Sequence, residues 1–266
     1  MATSTPSAPT VGPLAETRFF ARRGMRRRTG LAVSYLLLTI GGLVALLPFF
    51  WLVSSSLKAP NEIFLYPPRW VPNPVRWANY PKVFTQVQLA LYARNTLTIT
   101  LLALLGTMLS STISAYAFAR LRWPGRDICF ALILSTLMLP YAVTLIPVFI
   151  LFKDLHWLDT FLPLIVPAWF GGGAFNIFLL RQFLLTIPME LEEAARIDGA
   201  SSWTILTRII VPLAKPAIAV VAIFSFQNHW NDFLGPLIYL TSNDKWTLAI
   251  GLNALQGLQW GRDTTN

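Results

Sequence analysis

Residues 186–216 read TIPMELEEAARIDGASSWTILTRIIVPLAKP. Proline suits a first helical turn because its missing N–H would be unpaired there anyway, so Pro188 opens a helix. Glu190, Glu192 and Glu193 then meet the positive end of the helix dipole. Gly199 can take the left-handed conformation that ends a helix, and Ser201 or Ser202 can cap the next one. The stretch is a short helix, a sharp turn and a second helix running into apolar sequence. Leu191, Ala194, Ala195 and Ile197 give the short helix an apolar side of mostly small residues, which a partner surface could approach closely. The bare triplet Glu193-Ala194-Ala195 would equally suit an ordinary solvated helix.

Outward from this loop the chain is built of apolar runs bounded by charges. Uninterrupted charge-free intervals occupy the 29 residues between Arg28 and Lys58, 25 between Arg94 and Arg120, 25 between Asp127 and Lys153, and 21 between Asp159 and Arg181. Each exceeds the ~20 helical residues needed to cross ~30 Å of hydrocarbon. A fifth run, Ile209–Trp230, holds only Lys215, near its start, where a lysine can snorkel to the headgroups. Continuous runs without strict alternation exclude a barrel and leave helices. After Asp232 the signal fails: Phe233–Ser242 is short, and Trp246–Trp260 is broken by Asn253, Gln256, Gln259 and glycines.

Of the 266 residues 55% are hydrophobic and 12% charged, about half the usual charged share of ~25%. That weighs against a soluble enzyme and excludes a disordered chain, and the single cysteine excludes a disulfide scaffold. Cys129, in an apolar run, is expected to be a small buried hydrophobe. The net charge of +9 sits at the edges of the runs, as in a multi-pass membrane protein, not in a stripe for nucleic acid. Arg18, Arg22, Arg23 and Arg26–Arg28 place the N-terminus in the cytoplasm. The loop of Arg120, Arg122 and Arg126 and the segment Arg181–Lys215 then lie inside. The expected organisation is a disordered basic tail over 1–29, a first span over 30–56, an outer Pro/Trp-rich loop over 57–92, and a transmembrane domain over 93–266. The outer-loop rings Trp70 and Trp77 suit either the headgroup belt or a docking surface.

Glu193-Ala194-Ala195, then Gly199 after three intervening residues, and Ile209-x-Val211-Pro212 after nine more resemble the EAA loop of ABC-importer permeases; the family pattern has Leu where this chain has Val211. Phe178–Phe183, Ser114–Arg120 and Trp230-Asn231-Asp232-Phe233-Leu234 extend the resemblance to the carbohydrate, maltose-permease-like branch. It covers roughly residues 33–261. The fold this implies is an all-α integral membrane bundle: five clear transmembrane helices of an expected six, with a cytoplasmic coupling helix. The resemblance implies that Glu193, Ala194, Ala195, Asp198 and Gly199 meet an ABC ATPase dimer. It also implies a second permease subunit, an external solute-binding protein, no catalysis and no cofactor, ATP being bound by the partner. A sixth span would follow a Trp-Gly dipeptide. Trp260-Gly261 is followed by only five residues, so the sixth helix is expected to be missing, unless Phe233–Leu240 and Trp246–Trp260 fold back as a re-entrant pair.

No G-x-x-x-x-G-K-[ST] phosphate loop occurs. His156 and His229 are too far apart in sequence to suggest a metal or catalytic pair. No acid or base stands in the middle of the first four spans, which weighs against the rival reading, an ion-driven secondary transporter or a channel. Asn95 and Thr96, near the outer end of the second span, are candidates for a polar solute path. Gly172, in Gly171-Gly172-Gly173, and Asn176 mark either close helix packing or a kinked, solute-facing wall. Trp230, Asn231 and Asp232, at the outer end of the fifth span, are candidates for contact with the binding protein, or else an aromatic anchor with a helix cap.

Overall fold

The computed structural model describes residues 13–63, 65–86 and 88–263, with side chains described over 30–63, 65–84 and 88–255. Among these residues there is no strand. The helices are α1 (Pro13–Ser56), α2 (Asn79–Gln86), α3 (Leu89–Arg120), α4 (Arg126–Ser135), α5 (Tyr141–Asp154), α6 (Leu162–Ile165), α7 (Ala174–Leu185), α8 (Glu190–Ile197), α9 (Ser202–Ile205), α10 (Val211–Leu213), α11 (Lys215–Trp230), α12 (Leu234–Tyr239) and α13 (Leu248–Asp263). Packing divides the chain into two units, Met1–Lys82 and Val83–Asn266.

In the first unit, Gly30–Ser56 is an apolar stretch of 27 residues, long enough to cross a bilayer. The basic tail is helical from Pro13, not structureless to residue 29; residues 1–12 lie outside the described residues. The Pro/Trp-rich loop folds back on the end of α1. Ser54 Oγ donates to the Trp70 carbonyl at 2.5 Å, and Asn79 Nδ2 donates to the carbonyls of Ser56 and Lys58 at 2.9 Å each. Lys58 is 2% exposed. Its ammonium donates to the Arg69 carbonyl at 2.5 Å and lies 4.0 Å from the centroid of the Trp51 ring, so a buried cation is satisfied by a carbonyl and an aromatic face. Trp70 packs edge-on against Trp51, whereas Trp77 stays 69% exposed.

The second unit is organised around α3, which packs against α6, α7, α11 and α13. Its buried face is small and polar: Thr96, Thr100, Ala103, Gly106, Thr107, Ser111 and Ala115. Leu97, Leu101, Leu105, Leu109 and Ile113 point outward and are exposed. That inversion follows from the solvent. Between helices in lipid there is no hydrophobic gain, and small residues allow backbones to come close. Ser110 Oγ and Ser111 Oγ return to the carbonyls of Gly106 and Thr107 at 2.7 and 2.5 Å, and Ser110 Oγ also reaches the Ala168 carbonyl at 2.9 Å. A Cβ on Gly106 would lie 2.5 Å from the Trp169 ring.

Among the described residues, three helical stretches are long and apolar enough to span a membrane: Gly30–Ser56, Leu89–Arg120 and Leu162–Leu185. Two expected spans are bent pairs. Arg126–Met138 meets Tyr141–Asp154 at 103°, and Ser202–Leu213 meets Lys215–Trp230 at 79°. The physical cause of the first bend is Pro140, which forces Leu139 into extended backbone with ψ 116°. The second falls at Ala214, between Pro212 and Pro216, so Ile209–Leu213 belongs to the helical segment before the bend. Lys215 does begin the span after it. Trp246–Trp260, which the sequence left without a span, is helical from Leu248; the 16 residues of α13 rise ~24 Å. Cys129 is exposed, because α4 packs through Phe130 and turns the neighbouring side chain outward.

Gly171, Gly172 and Gly173 all have positive φ (98°, 63°, 89°) and separate the Val166–Trp169 turn from α7. A Cβ on Gly172 would sit 2.6 Å from the Thr107 carbonyl. Gly172→Ala should therefore lower the thermal midpoint of the detergent-purified chain more than Gly125→Ala. Both incur a left-handed cost of about 1–3 kcal/mol, but Gly125 has nothing within 4 Å. Equal losses would contradict the close approach of α3 and the glycine turn.

Candidate functional site

The loop after α7 folds as its sequence indicates, with one shift. The helical turn opens at Met189, whose carbonyl accepts the N–H groups of Glu192 and Glu193 at 3.0 Å, so Pro188 stands just before the turn. Gly199 has φ +82°, the left-handed position that a side chain would strain. Ser201 Oγ caps the next helix by accepting the Thr204 N–H at 3.2 Å. Ile187, Ile205, Leu206 and Ile210 anchor the loop in the largest apolar cluster of the unit, together with Ala115, Tyr116, Phe130, Leu180 and Leu184.

Three glutamates in the first turn of α8 have different fates. Glu190 and Glu193 are exposed, whereas Glu192 is fully buried. Its carboxylate lies 3.1 Å from Arg120 Nε and 3.6 Å from Arg196 Nη2. Arg120, the last residue of α3, is 5% exposed. Its Nη2 donates to the carbonyls of Leu184 and Ile187, the latter at 2.5 Å, and Nη1 donates to Met189 Sδ. One guanidinium thus gathers the end of α7, the turn after it and the first turn of α8. Removing one charge from a buried pair typically costs about 3–5 kcal/mol, because the other is left uncompensated. The outward side of α8 holds Leu191, 44% exposed, and Ile197, 87% exposed, with Glu193, Ala194, Asp198 and Gly199 exposed and Ala195 half-buried. A cavity of about 440 Å³ opens beside it, lined by Arg122, Glu193, Arg196 and Ser202 among others.

The residues singled out elsewhere are committed to packing. Asn95 Nδ2 donates to the carbonyls of Asp244 and Trp246 at 2.9 and 3.0 Å. Thr96 Oγ1 donates to the Tyr92 carbonyl at 2.9 Å and accepts the Leu248 N–H at 2.8 Å. Both side chains are buried and hold the segment leading into α13 on α3. Gly172 is the close approach described above, and Asn176 Nδ2 ties back to its carbonyl at 2.7 Å. Asp232 accepts the Gly235 N–H at 3.1 Å and caps α12. Trp230 stacks on Phe226 with centroids 5.4 Å apart, while Asn231 is exposed. Among the described residues no cluster of three metal-ligating side chains occurs.

Two assemblies escaped the sequence reading. Arg120 and Glu192 are far apart in the chain, and only the Glu192–Arg196 spacing of four was visible. The other is Asp159, with φ 55°. Its carboxylate accepts the N–H groups of Thr241 and Ser242 at 3.0 and 2.9 Å, the Ser242 hydroxyl at 2.5 Å and the Lys245 ammonium at 2.8 Å. The Lys245 ammonium and these Ser242 and Thr241 donors stabilise the carboxylate and hold its pKa far below the ordinary value of 3.8. A carboxylate whose folded pKa is depressed adds stability above its unfolded pKa and loses it as pH falls through the folded one. Asp159→Asn should lower the thermal midpoint by a few degrees at neutral pH, and the gap from wild type should close progressively below about pH 4. A gap independent of pH would show that the carboxylate charge is not what ties the 153–160 loop to residues 239–246.

Residues 106–265 match the family model described as "Binding-protein-dependent transport system inner membrane component". The chain is 33% identical over 228 residues to the diacetylchitobiose uptake system permease protein NgcG of Streptomyces coelicolor, covering 86% of this chain and 75% of that one. It is 34% identical over 238 residues to the arabinooligosaccharides transport system permease protein AraQ of Halalkalibacterium halodurans, covering 87% and 84%. Among solved structures it resembles a chain of a bacterial ABC transporter involved in the import of the acidic polysaccharide alginate, with a TM-score of 0.74 and 26% identity, over 93% of this chain and 82% of that one. With its all-helical fold and apolar spans, the chain belongs to the binding-protein-dependent transport system inner membrane component family, a family of ABC-importer permeases.

Proposed function

We propose that this chain is a transmembrane subunit of an ATP-driven importer for oligosaccharides, seated through α8 in an ABC ATPase on the cytoplasmic side. The observation that carries the reading is the asymmetry of α8. Glu192 is buried against Arg120, while Leu191, Ala194 and Ile197 are turned outward. A helix with three glutamates in its first turn does not belong in hydrocarbon. An 87% exposed isoleucine at its end therefore suits a protein partner. Ile197 would enter an apolar groove of the ATPase, Glu193 would meet a positive group there, and Ala194, Ala195, Asp198 and Gly199 would permit close approach.

The sugar class is supported by the relatives named for diacetylchitobiose and arabinooligosaccharides and by the alginate importer. In the proposed assembly a second permease completes the path, two ATPase domains bind ATP, and a solute-binding protein delivers the sugar outside. The chain itself catalyses nothing. Its six clustered tail arginines (18, 22, 23 and 26–28) favour a cytoplasmic N-terminus in the cell membrane, which leaves Asn231 and Trp230 on the outer face toward the binding protein. A gradient-driven transporter or channel finds no support among the relatives.

Gly199→Asp and Ile197→Glu should leave the chain in the membrane, because both sites are exposed. Uptake of labelled oligosaccharide should fall at least tenfold, about 1.4 kcal/mol of lost coupling, and the ATPase should no longer co-purify. Wild-type uptake and co-purification in both variants would overturn the assignment of α8.

A further inference from the structure

We infer that Arg120 and Glu192 form a rigid joint that makes α3 and α8 move as one body, so that displacement of α8 becomes tilt of the central helix. This rests on the importer reading above and assigns the transmission to two named positioning residues. Neither is described by the EAA resemblance, which concerns the outward face of α8.

The geometry distinguishes a joint from a surface ion pair. Glu192 and Arg120 side chains are 0% and 2% exposed, so water cannot substitute for either. The guanidinium also holds the carbonyls of Leu184 and Ile187, the backbone between α7 and α8. A planar fork with several fixed donors can bind these groups at once, which an ammonium cannot. Arg196, one turn further along α8, lies against the second carboxylate oxygen at 3.6 Å. Around the pair the contacts are apolar and tight: Tyr116 from α3, Leu184 from α7 and Ile187 from the turn are each under 9% exposed. The buried ion-pair contact and the packing around it tie the end of α3 to the first turn of α8, whereas the far end of α8 passes into the Gly199 turn. The turn supplies the compliance and the pair supplies the stiffness.

The test uses the assembled complex in a Cys129→Ser background, with spin labels at Ile113 and Glu190, both exposed and outside the joint. The interlabel distance should be single and unchanged by ATP in the wild-type complex; a distance that shifts with nucleotide would overturn the joint without any variant. The second arm replaces both charges by apolar side chains, Arg120→Met with Glu192→Leu, because such double replacements commonly keep a protein folded where single ones do not. The double variant should assemble and hydrolyse ATP while sugar imported per ATP falls about tenfold and the label distance broadens. Wild-type stoichiometry with a narrow distance would overturn the inference. If the wild-type complex shows no ATP-dependent uptake at all, it is the importer reading that fails.

Discussion

The guanidinium of Arg120 is the point on which the α7–α8 end of the bundle converges. It terminates α3, closes carbonyls at the end of α7 and neutralises a glutamate on α8. A helix end in an apolar setting leaves backbone carbonyls without partners, and in a membrane protein water is not there to take them. One arginine meets that need for the neighbouring helix while its own charge is met by Glu192. The loop that carries α8 is thereby an extension of the packed core, not an appendage.

On the opposite side the same constraint is met by different chemistry. Residues 240–247 connect α12 to α13, and backbone groups in and beside this connection are claimed by side chains from elsewhere: Asp159 takes two amides, Asn95 gives to two carbonyls and Thr96 takes the first amide of α13. Between the two ends, α3 offers hydroxyls and glycine, so that the Trp169 ring and the glycine turn at 171–173 come up against its backbone. The bends at Pro140 and Ala214 interrupt helices that composition alone would make continuous, and the freed polar groups are again taken locally, as in the Val143 N–H to Pro140 carbonyl bond of 3.0 Å.

These placements change the meaning of residues chosen for their polarity. Asn95 and Thr96 have the right composition for a solute path, yet the Asn95 amide holds the carbonyls of Asp244 and Trp246, and the Thr96 hydroxyl takes the first amide of α13. Glu192 drew no more notice than its neighbours, yet it is the buried one. Polarity in a transmembrane sequence marks a place where something must be satisfied; it does not say whether the partner is a solute or the chain's own backbone.

The sequence by itself determined the helical class, because lipid admits few ways of satisfying a backbone and charge-free runs of 21 to 29 residues leave one of them. It also determined the short helix, the left-handed turn at Gly199 and a serine cap at 201 or 202, of which the structure uses Ser201, because dipole, φ and cap preferences act within a few residues. Only the tertiary structure decided which polar groups meet. The Arg120–Glu192 pair spans 72 positions, and the Asp159 cluster joins residues more than 80 apart. Such pairings depend on how helices are stacked, and stacking between apolar helices in lipid is set by small-residue shape, which one-dimensional periodicity does not encode. The bends at Pro140 and Ala214 belong to the same class: proline permits a kink, and its direction follows from the neighbours against which the two halves pack.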